Sequence, residues 1–341
     1  MAILAPAFVQ VHPSYVEPGI ILAYSQASNA FELLPSRGPL PRLGDGDLFV
    51  YLKRADIRTK MAAGQSSYNL LPSVSIAMSQ ISTPTYLLRV RGEFDHHDTA
   101  ALSRWGMPIM EAQRLGMRQG HFQLARNALL YGMNPANGEG LLNTNGATSQ
   151  NLPPDSNGNT TLVTYDNGQL AFQFLQILAN IKTKTYQFGI GRKFTIIGPQ
   201  RVLGQMEMVN VVQLVQFQRV GAGSTTSSGL VNAIANMQGD TIDWGYDDTL
   251  IGKGAGGNDA VIFAMTEVEK SKASGSWNTN EWAKIAPGYE ATTAMYCDKA
   301  APTEIPTPLP GGATDIVSEL RITSGWGIRP EAITILSIQY Q

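Results

Sequence analysis

The chain has 341 residues, 43% hydrophobic and 15% charged, and its 25 basic and 27 acidic side chains leave a net charge of −2 at pH 7. That length suits one large or two intimately joined domains, while the near-neutral balance excludes a global field drawing in nucleic acid or an anionic membrane, so any contact with DNA is local. Charged content below the usual quarter leaves more neutral surface than a free monomer presents, which buried subunit contacts explain, and a single cysteine, Cys297, excludes an internal disulfide or a thiolate metal cluster.

The first residues, MAILAPAFVQVHP, lack the basic start and uninterrupted apolar run of a secretory signal, and no later run approaches the roughly 18 apolar residues of a membrane span. A cytoplasmic setting is expected. Residues 1–45 contain Pro6, Pro13, Pro18, Pro35, Pro39 and Pro41, spaced so that neither a long helix nor a central strand runs through them. They predict an extended arm. Its apolar side chains, among them Phe8, Val9, Val11, Tyr15, Ile20, Ile21 and Phe31, are poorly suited to a loose tail, so the arm is expected to lie on something, a neighbouring subunit being the candidate.

From Gly44 to Gln65, GDGDLFVYLKRADIRTKMAAGQ sets Lys53, Arg54, Arg58 and Lys60 among apolar residues and predicts a hairpin-like projection. Between Val74 and Phe94 the alternation predicts two long antiparallel strands, one carrying Val74, Ile76 and Met78 on a face, the other, after Pro84, Tyr86, Leu88 and Val90. Pro108 opens a helix of about 24 residues reaching Tyr131, some 36 Å long. Its stripes, Met117, His121, Leu124, Ala128 and Tyr131 on one and Leu115, Phe122 and Leu129 on another, leave little of the circumference to water. Gly116 and Gly120 weaken that helix by up to about 1 kcal/mol each, which makes sense where another segment packs very close.

Gly132 stops the helix, and the turn-rich tract through Gly158 reads as an excursion. Within it GLLN mounts Leu141 and Leu142 beside Asn143 with no catalytic group nearby, so the loop is expected to dock rather than react. A second helix follows over Asn167–Lys182, then a strand over 193–198, a helix over 199–207 opened by Pro199, a helical pattern within 225–237 and a central strand over 259–269. The apolar run 209–220 fits strand and helix alike. A mixed sheet flanked by helices accounts for these elements, and residues from Ala313 on supply two strands joined by a glycine turn, with Pro330 breaking any helix.

Sites for chemistry fail one by one. In GYDDTLIGK, six residues separate Gly245 from the Gly252–Lys253 pair where a phosphate loop has four, and Gly254 stands where Ser or Thr would hold magnesium. FGIGRKF has Gly189 and Gly191 but Phe194 at the third glycine position. His96, His97 and Asp98 are adjacent, so their side chains diverge, and they read as a loop before a helix. Asp240, Asp243, Asp247 and Asp248 surround Trp244 and Tyr246 without the order of a calcium loop. The cations Lys53, Arg54, Arg58 and Lys60 suit phosphate or an intersubunit salt-bridge set, and the latter is the expectation.

In order, these parts resemble the major capsid protein of tailed bacteriophages, the Hong Kong 97-type shell subunit. The distinctive block is EAQRLGMRQGHFQLARNALLYGMNPANGEGLLN (111–143), which looks like that family's spine helix, its "YG" stop and the loop after it. The resemblance implies an α+β fold: an N-terminal arm (1–45), a projecting hairpin or E-loop (46–72), a peripheral domain with the spine helix and following loop (73–165), an α/β axial domain (166–315) and C-terminal strands returning to the periphery (316–341). It also implies a structural protein without enzymatic activity, cofactor or metal, forming hexamers and pentamers of an icosahedral head, built in a host cytoplasm and residing in the virion. Portal and scaffolding proteins are implied partners, a decoration protein is left open, packaged double-stranded DNA is touched non-specifically, and no membrane is involved. Expected assembly contacts are Lys53, Arg54, Arg58, Lys60, Leu141, Leu142 and Asn143, with the GLLN plug at the foot of the spine near a local threefold contact. An arm that begins at once implies a separate scaffold or an already processed chain, and no acceptor for a Lys crosslink is evident. An encapsulin-like compartment shell is the near alternative, and an α/β small-molecule enzyme using the aspartates around Trp244 is the distant one.

Overall fold

The computed structural model describes residues 28–34, 42–58, 75–95, 97–98, 100, 109–185, 192–208, 210–211, 225–268, 294–299, 301–310 and 312–341. The expectations for residues 1–27, Lys60, Val74, His96, Pro108, Gly189, Gly191 and 212–220 lie outside them. In chain order the elements are β1 (Phe49–Arg58), β2 (Ser75–Phe94), α1 (Ile109–Leu130), β3 (Thr148–Asn151), α2 (Asn167–Lys184), β4 (Arg192–Gly198), α3 (Gln200–Met208) and the two-residue strands β5 (Asn210–Val211) and β6 (Thr225–Thr226). There follow α4 (Ser227–Met237), β7 (Thr241–Tyr246), β8 (Asp259–Val268), β9 (Ala294–Met295), β10 (Thr303–Pro308), β11 (Thr314–Thr323), β12 (Trp326–Gly327) and β13 (Ile333–Ile338).

β2 is one strand of 20 residues, roughly 66 Å long, where the sequence predicts two. Proline removes one ladder donor, so it suits a place where the partner changes. Pro84 stands at such a place: β1 pairs antiparallel with residues 75–84 and β11 with residues 85–94. The resulting sheet has the order β1-β2-β11-β10, and Pro306 and Pro308 blunt its β10 end against further pairing. One face of its β2–β11 part receives α1, with Val90, Phe94 and Ile316 around Met117 and with His121 Nε2 3.0 Å from Ser318 Oγ. Arg89–Glu319 at 2.7 Å and Arg91–Asp315 at 2.8 Å link β2 to β11, and Arg114 of α1 reaches Glu304 of β10 at 3.0 Å.

Two expectations for α1 are corrected. Leu115, Phe122 and Leu124 are each about 40% exposed, so a broad flank is open rather than enclosed. Gly116 and Gly120 face open space within the subunit: a Cβ on either would meet nothing within 4 Å.

The second sheet has the order β3-β13-β8-β4-β7, with β13 parallel to β3, β4 parallel to β7, and β8 antiparallel to both β13 and β4. β13 therefore lies inside this sheet and not in the four-stranded one, where the expected return of the C-terminal strands is made by β11 alone. Strands buried on both faces read as continuous apolar runs, and those of β8 and β13 are of that kind. On one face Phe194, Ile196, Val261, Phe263, Met265 and Leu336 pack against Leu170, Phe174 and Ile181 of α2, Val202 and Met206 of α3 and Val231 of α4. On the other, Ile197, Ala260, Ile262, Ala264 and Ile335 pack against Ala128, Leu129 and Leu130 at the end of α1, with Leu33 and Tyr296 alongside. Asp166 caps α2 by accepting from Gln169 N at 2.8 Å, and Thr226 caps α4 by accepting from Gly229 N at 3.2 Å.

His121 generates a pH dependence. Its side chain is buried between α1 and β11, and burial pulls its pKa below the ordinary 6.5. With the folded value below the unfolded one, its stabilisation is complete above about pH 6.5 and is lost as pH falls through the lowered folded value. In denaturant titrations from about pH 7 to about pH 5, His121→Gln, which keeps a hydrogen-bonding group but does not titrate, should flatten the decline. Parallel declines in both proteins would contradict this assignment.

Candidate assembly surfaces

The foot of α1 is a junction of three backbone segments. The helix ends with Gly132 N bonding Ala128 O at 3.1 Å, and Gly132 takes a left-handed φ of 74°. The chain then turns through Pro135–Asn137 and lays Glu139–Gly140 back across Tyr131–Gly132. A Cβ on Gly132 would sit 2.5 Å from the Glu139 carbonyl, and one on Gly140 would sit 2.3 Å from the Tyr131 carbonyl carbon. Gly325, far along the chain, enters the same space: its N donates to Ala128 O at 3.0 Å and its O accepts from Gly140 N at 2.7 Å. A Cβ there would meet Leu129 O at 2.3 Å.

Beside the glycines lies the buried Glu139 carboxylate. It accepts from Tyr86 OH at 2.9 and 3.0 Å, from Asn134 N at 3.0 Å and from Ser324 Oγ at 2.7 Å. Strand β2, the turn and the β11–β12 link thus meet on one side chain. Burial, reinforced by the Glu139 hydrogen bond and charge, pushes the Tyr86 hydroxyl up to about 12, so it stays a donor across ordinary pH.

This arrangement decides the GLLN residues. Leu141–Asn143 forms a single 3-10 turn. Leu141 is 1% exposed within the chain's own core, so its expected docking on a neighbour is corrected: the glycine contacts fold the loop inward and its shelter is internal. Leu142 is half-buried against the same core. Asn143 is exposed, but its Nδ2 is occupied by Tyr131 O at 2.9 Å and Glu139 O at 3.2 Å. Sequence reading missed Glu139 and Gly325; the E-G-L-L order next to the YG stop was the only hint of the first, and nothing local marks the second.

The hairpin surface lies elsewhere. Lys53, Arg54 and Arg58 sit on β1 opposite Gln80, Ser79 and Ser75, towards the end of the pair far from α1; Lys60 is beyond the described residues. At the other end Leu48, Phe49 and Tyr51 on or beside β1 are 66%, 53% and 59% exposed, while Met78 on β2, opposite Ala55 among the cations, is 72% exposed. The Phe49 and Tyr51 rings lie 6.2 Å apart. Exposed apolar side chains thus gather along the β1–β2 pair.

The aspartates considered for chemistry are dispersed into structural tasks. Asp240 pairs with Lys182 and lies 3.9 Å from Arg192, Asp243 pairs with Lys193 at 2.9 Å, Asp247 accepts from Thr249 N at 2.9 Å, and Asp248 accepts from Gln200 N at 2.8 Å. Among the described residues no group of His, Cys, Asp and Glu could hold a metal ion, and no described helix is long and apolar enough to cross a membrane. Cys297 is buried with its thiol pushed up to about 12 by burial, which leaves it a weak nucleophile.

No sequence family matches the chain, and no curated protein does. Solved structures match along nearly its whole length. The capsid of Myoviridae phage XM1 superposes with a TM-score of 0.65 at 9% identity, covering 95% of this chain and 96% of that one. The capsid of a native GTA particle gives 0.58 at 9% identity, covering 96% and 95%. A virus-like particle from Pyrococcus furiosus gives 0.50 at 13% identity, covering 91% and 92%. The chain has the α+β fold of these shell proteins.

The glycine junction makes a paired prediction. Gly325→Ala forces a methyl group onto the Leu129 carbonyl and should lower unfolding free energy by at least about 2 kcal/mol. Gly120→Ala, in open space on a helix, should raise it by about 0.5–1 kcal/mol. Urea titrations giving equal effects for the two would contradict the geometry.

Proposed function

We propose that the chain is the major capsid subunit of a tailed bacteriophage, assembling as hexamers and pentamers into an icosahedral head around double-stranded DNA. The observation that carries this reading is end-to-end similarity to a phage capsid subunit, 95% of one chain on 96% of the other. Coverage of that extent on both sides leaves little of the chain to form an enzyme's separate substrate domain.

In this reading residues 1–45 are the arm, 46–72 the E-loop built on β1 and the start of β2, 73–165 the peripheral domain around α1, and 166–315 the axial domain, with β3 and β13 added to the axial sheet and β10 to the peripheral one. Lys53, Arg54, Arg58 and Lys60 meet carboxylates of a neighbouring copy, and Leu142 and Asn143 contribute the exposed part of the spine's foot. Phe49, Tyr51 and Met78 supply apolar area, each Å² removed from water being worth about 25 cal/mol. Small contacts repeated through a closed symmetric array suffice for a stable shell. Portal and scaffolding proteins, and a decoration protein on the outer face, are partners this reading accommodates.

Electron microscopy of the purified protein tests it. The chain should form closed particles tens of nanometres across. Phe49→Asp with Tyr51→Asp should leave circular dichroism unchanged, both side chains being largely exposed, while abolishing particles, because a desolvated charge in an apolar contact is costly. A wild-type chain that stays a single subunit at high concentration would contradict the proposal.

A further inference from the structure

The five-stranded sheet ends at β3, whose outer edge carries no partner strand among the described residues. Beside that edge runs a trough of about 380 Å³ between β3 and α2. Its walls are Gln150, Asn151 and Pro153 on one side and Gln173, Gln176 and Asn180 on the other. None of the five carboxamides makes a side-chain hydrogen bond within the described residues. The lining has no charge, so it offers no counter-ion to a phosphate or a carboxylate. Each carboxamide instead presents one acceptor and a donor pair, the complement of a peptide's own C=O and N–H. An unpaired strand edge next to such a trough is suited to strand addition, in which main-chain bonds supply affinity and alternate side chains enter the trough.

We infer that the β3 edge and its carboxamide trough receive the N-terminal arm of a second copy of this chain as an added strand. The inference rests on the shell reading and goes beyond it by naming the receiving surface. The arm suits the site in charge and length. Residues 1–27 carry one charged side chain, Glu17, matching the neutral trough. Between Pro6 and Pro13 the run Ala7–His12 is free of proline and sets Val9 and Val11 on one face against Phe8 and Gln10 on the other, long enough to pair with the four residues of β3. From Ser28, whose hydroxyl meets Asp247 just beyond β7 at the opposite edge of the sheet, the 17 residues back to Val11 span up to about 56 Å. That reach exceeds the sheet's own width, five strands at roughly 4.8 Å spacing, so its length does not confine the arm to its own subunit.

The test uses the full chain. Amide exchange at Ser149 and Asn151, the two β3 amides that face the outer edge, should slow by about tenfold or more in particles relative to free subunits. In parallel, chains with Ser149→Cys are mixed before assembly with chains carrying one cysteine substitution scanned across Ala7–His12, then oxidised; buried Cys297 does not compete. The expected product is a disulfide-linked dimer joining position 149 of one copy to the arm of another. A bridge formed within single free subunits would overturn the inference in favour of the chain's own arm. Particles with slowed exchange but no bridge would overturn it in favour of another occupant, and particles with unprotected amides would show the edge open. Failure to form particles would instead defeat the shell reading, and this inference with it.

Discussion

Three backbone segments, at Tyr131–Gly132, Glu139–Gly140 and Gly325, approach more closely than any residue with a Cβ permits, with hypothetical contacts of 2.3–2.5 Å. This contact is the constraint on which the remaining architecture depends. It ends α1, reverses the chain into the Leu141 turn and pins the β11–β12 link to the helix through Ala128 O and Gly140 N. Because α1 lies on one sheet and ends against the other, fixing its foot fixes the two sheets relative to each other. Glu139 adds direction: a buried carboxylate surrounded by donors from β2, the turn and Ser324 holds its neighbours only in this arrangement.

Much of this frame was legible in the sequence, and the residues explain where legibility stopped. Helices α1 and α2 and the helix at 227–237 follow from periodicity because each buries a regular stripe, and the strands β4 and β8 from short continuous apolar runs. Pro84 misled because a proline inside an alternating run signals a break, and only the change of pairing partner reveals why the strand continues. The placement of β13 was hidden for a different reason: a continuous apolar run announces burial but not which sheet receives it. Gly116 and Gly120 looked like sites of close approach and are open, whereas Gly325, in the glycine turn read between the last two strands, makes a backbone contact no local pattern predicts.

The candidate site divides similarly. Leu141 and Leu142 were singled out as an apolar docking plug, yet the first is enclosed by its own chain. What remains outward is the hairpin's aromatic pair, the flank of α1 with Leu115, Phe122 and Leu124, and the β3 edge. A chain with so little charge and this much apolar surface open among its described residues is poorly suited to life as a free monomer.

Native-state hydrogen exchange resolved to single amides tests the junction most directly. If the glycine contact unites the two sheets, the amides of Gly132, Gly140 and Gly325 should exchange only through the same global opening as those of Ile262 in β8 and Leu336 in β13, with equal opening free energies. Independent exchange of the three glycine amides at markedly lower free energy, while the β8 and β13 amides stay protected, would show the junction to be a loose latch and contradict the account.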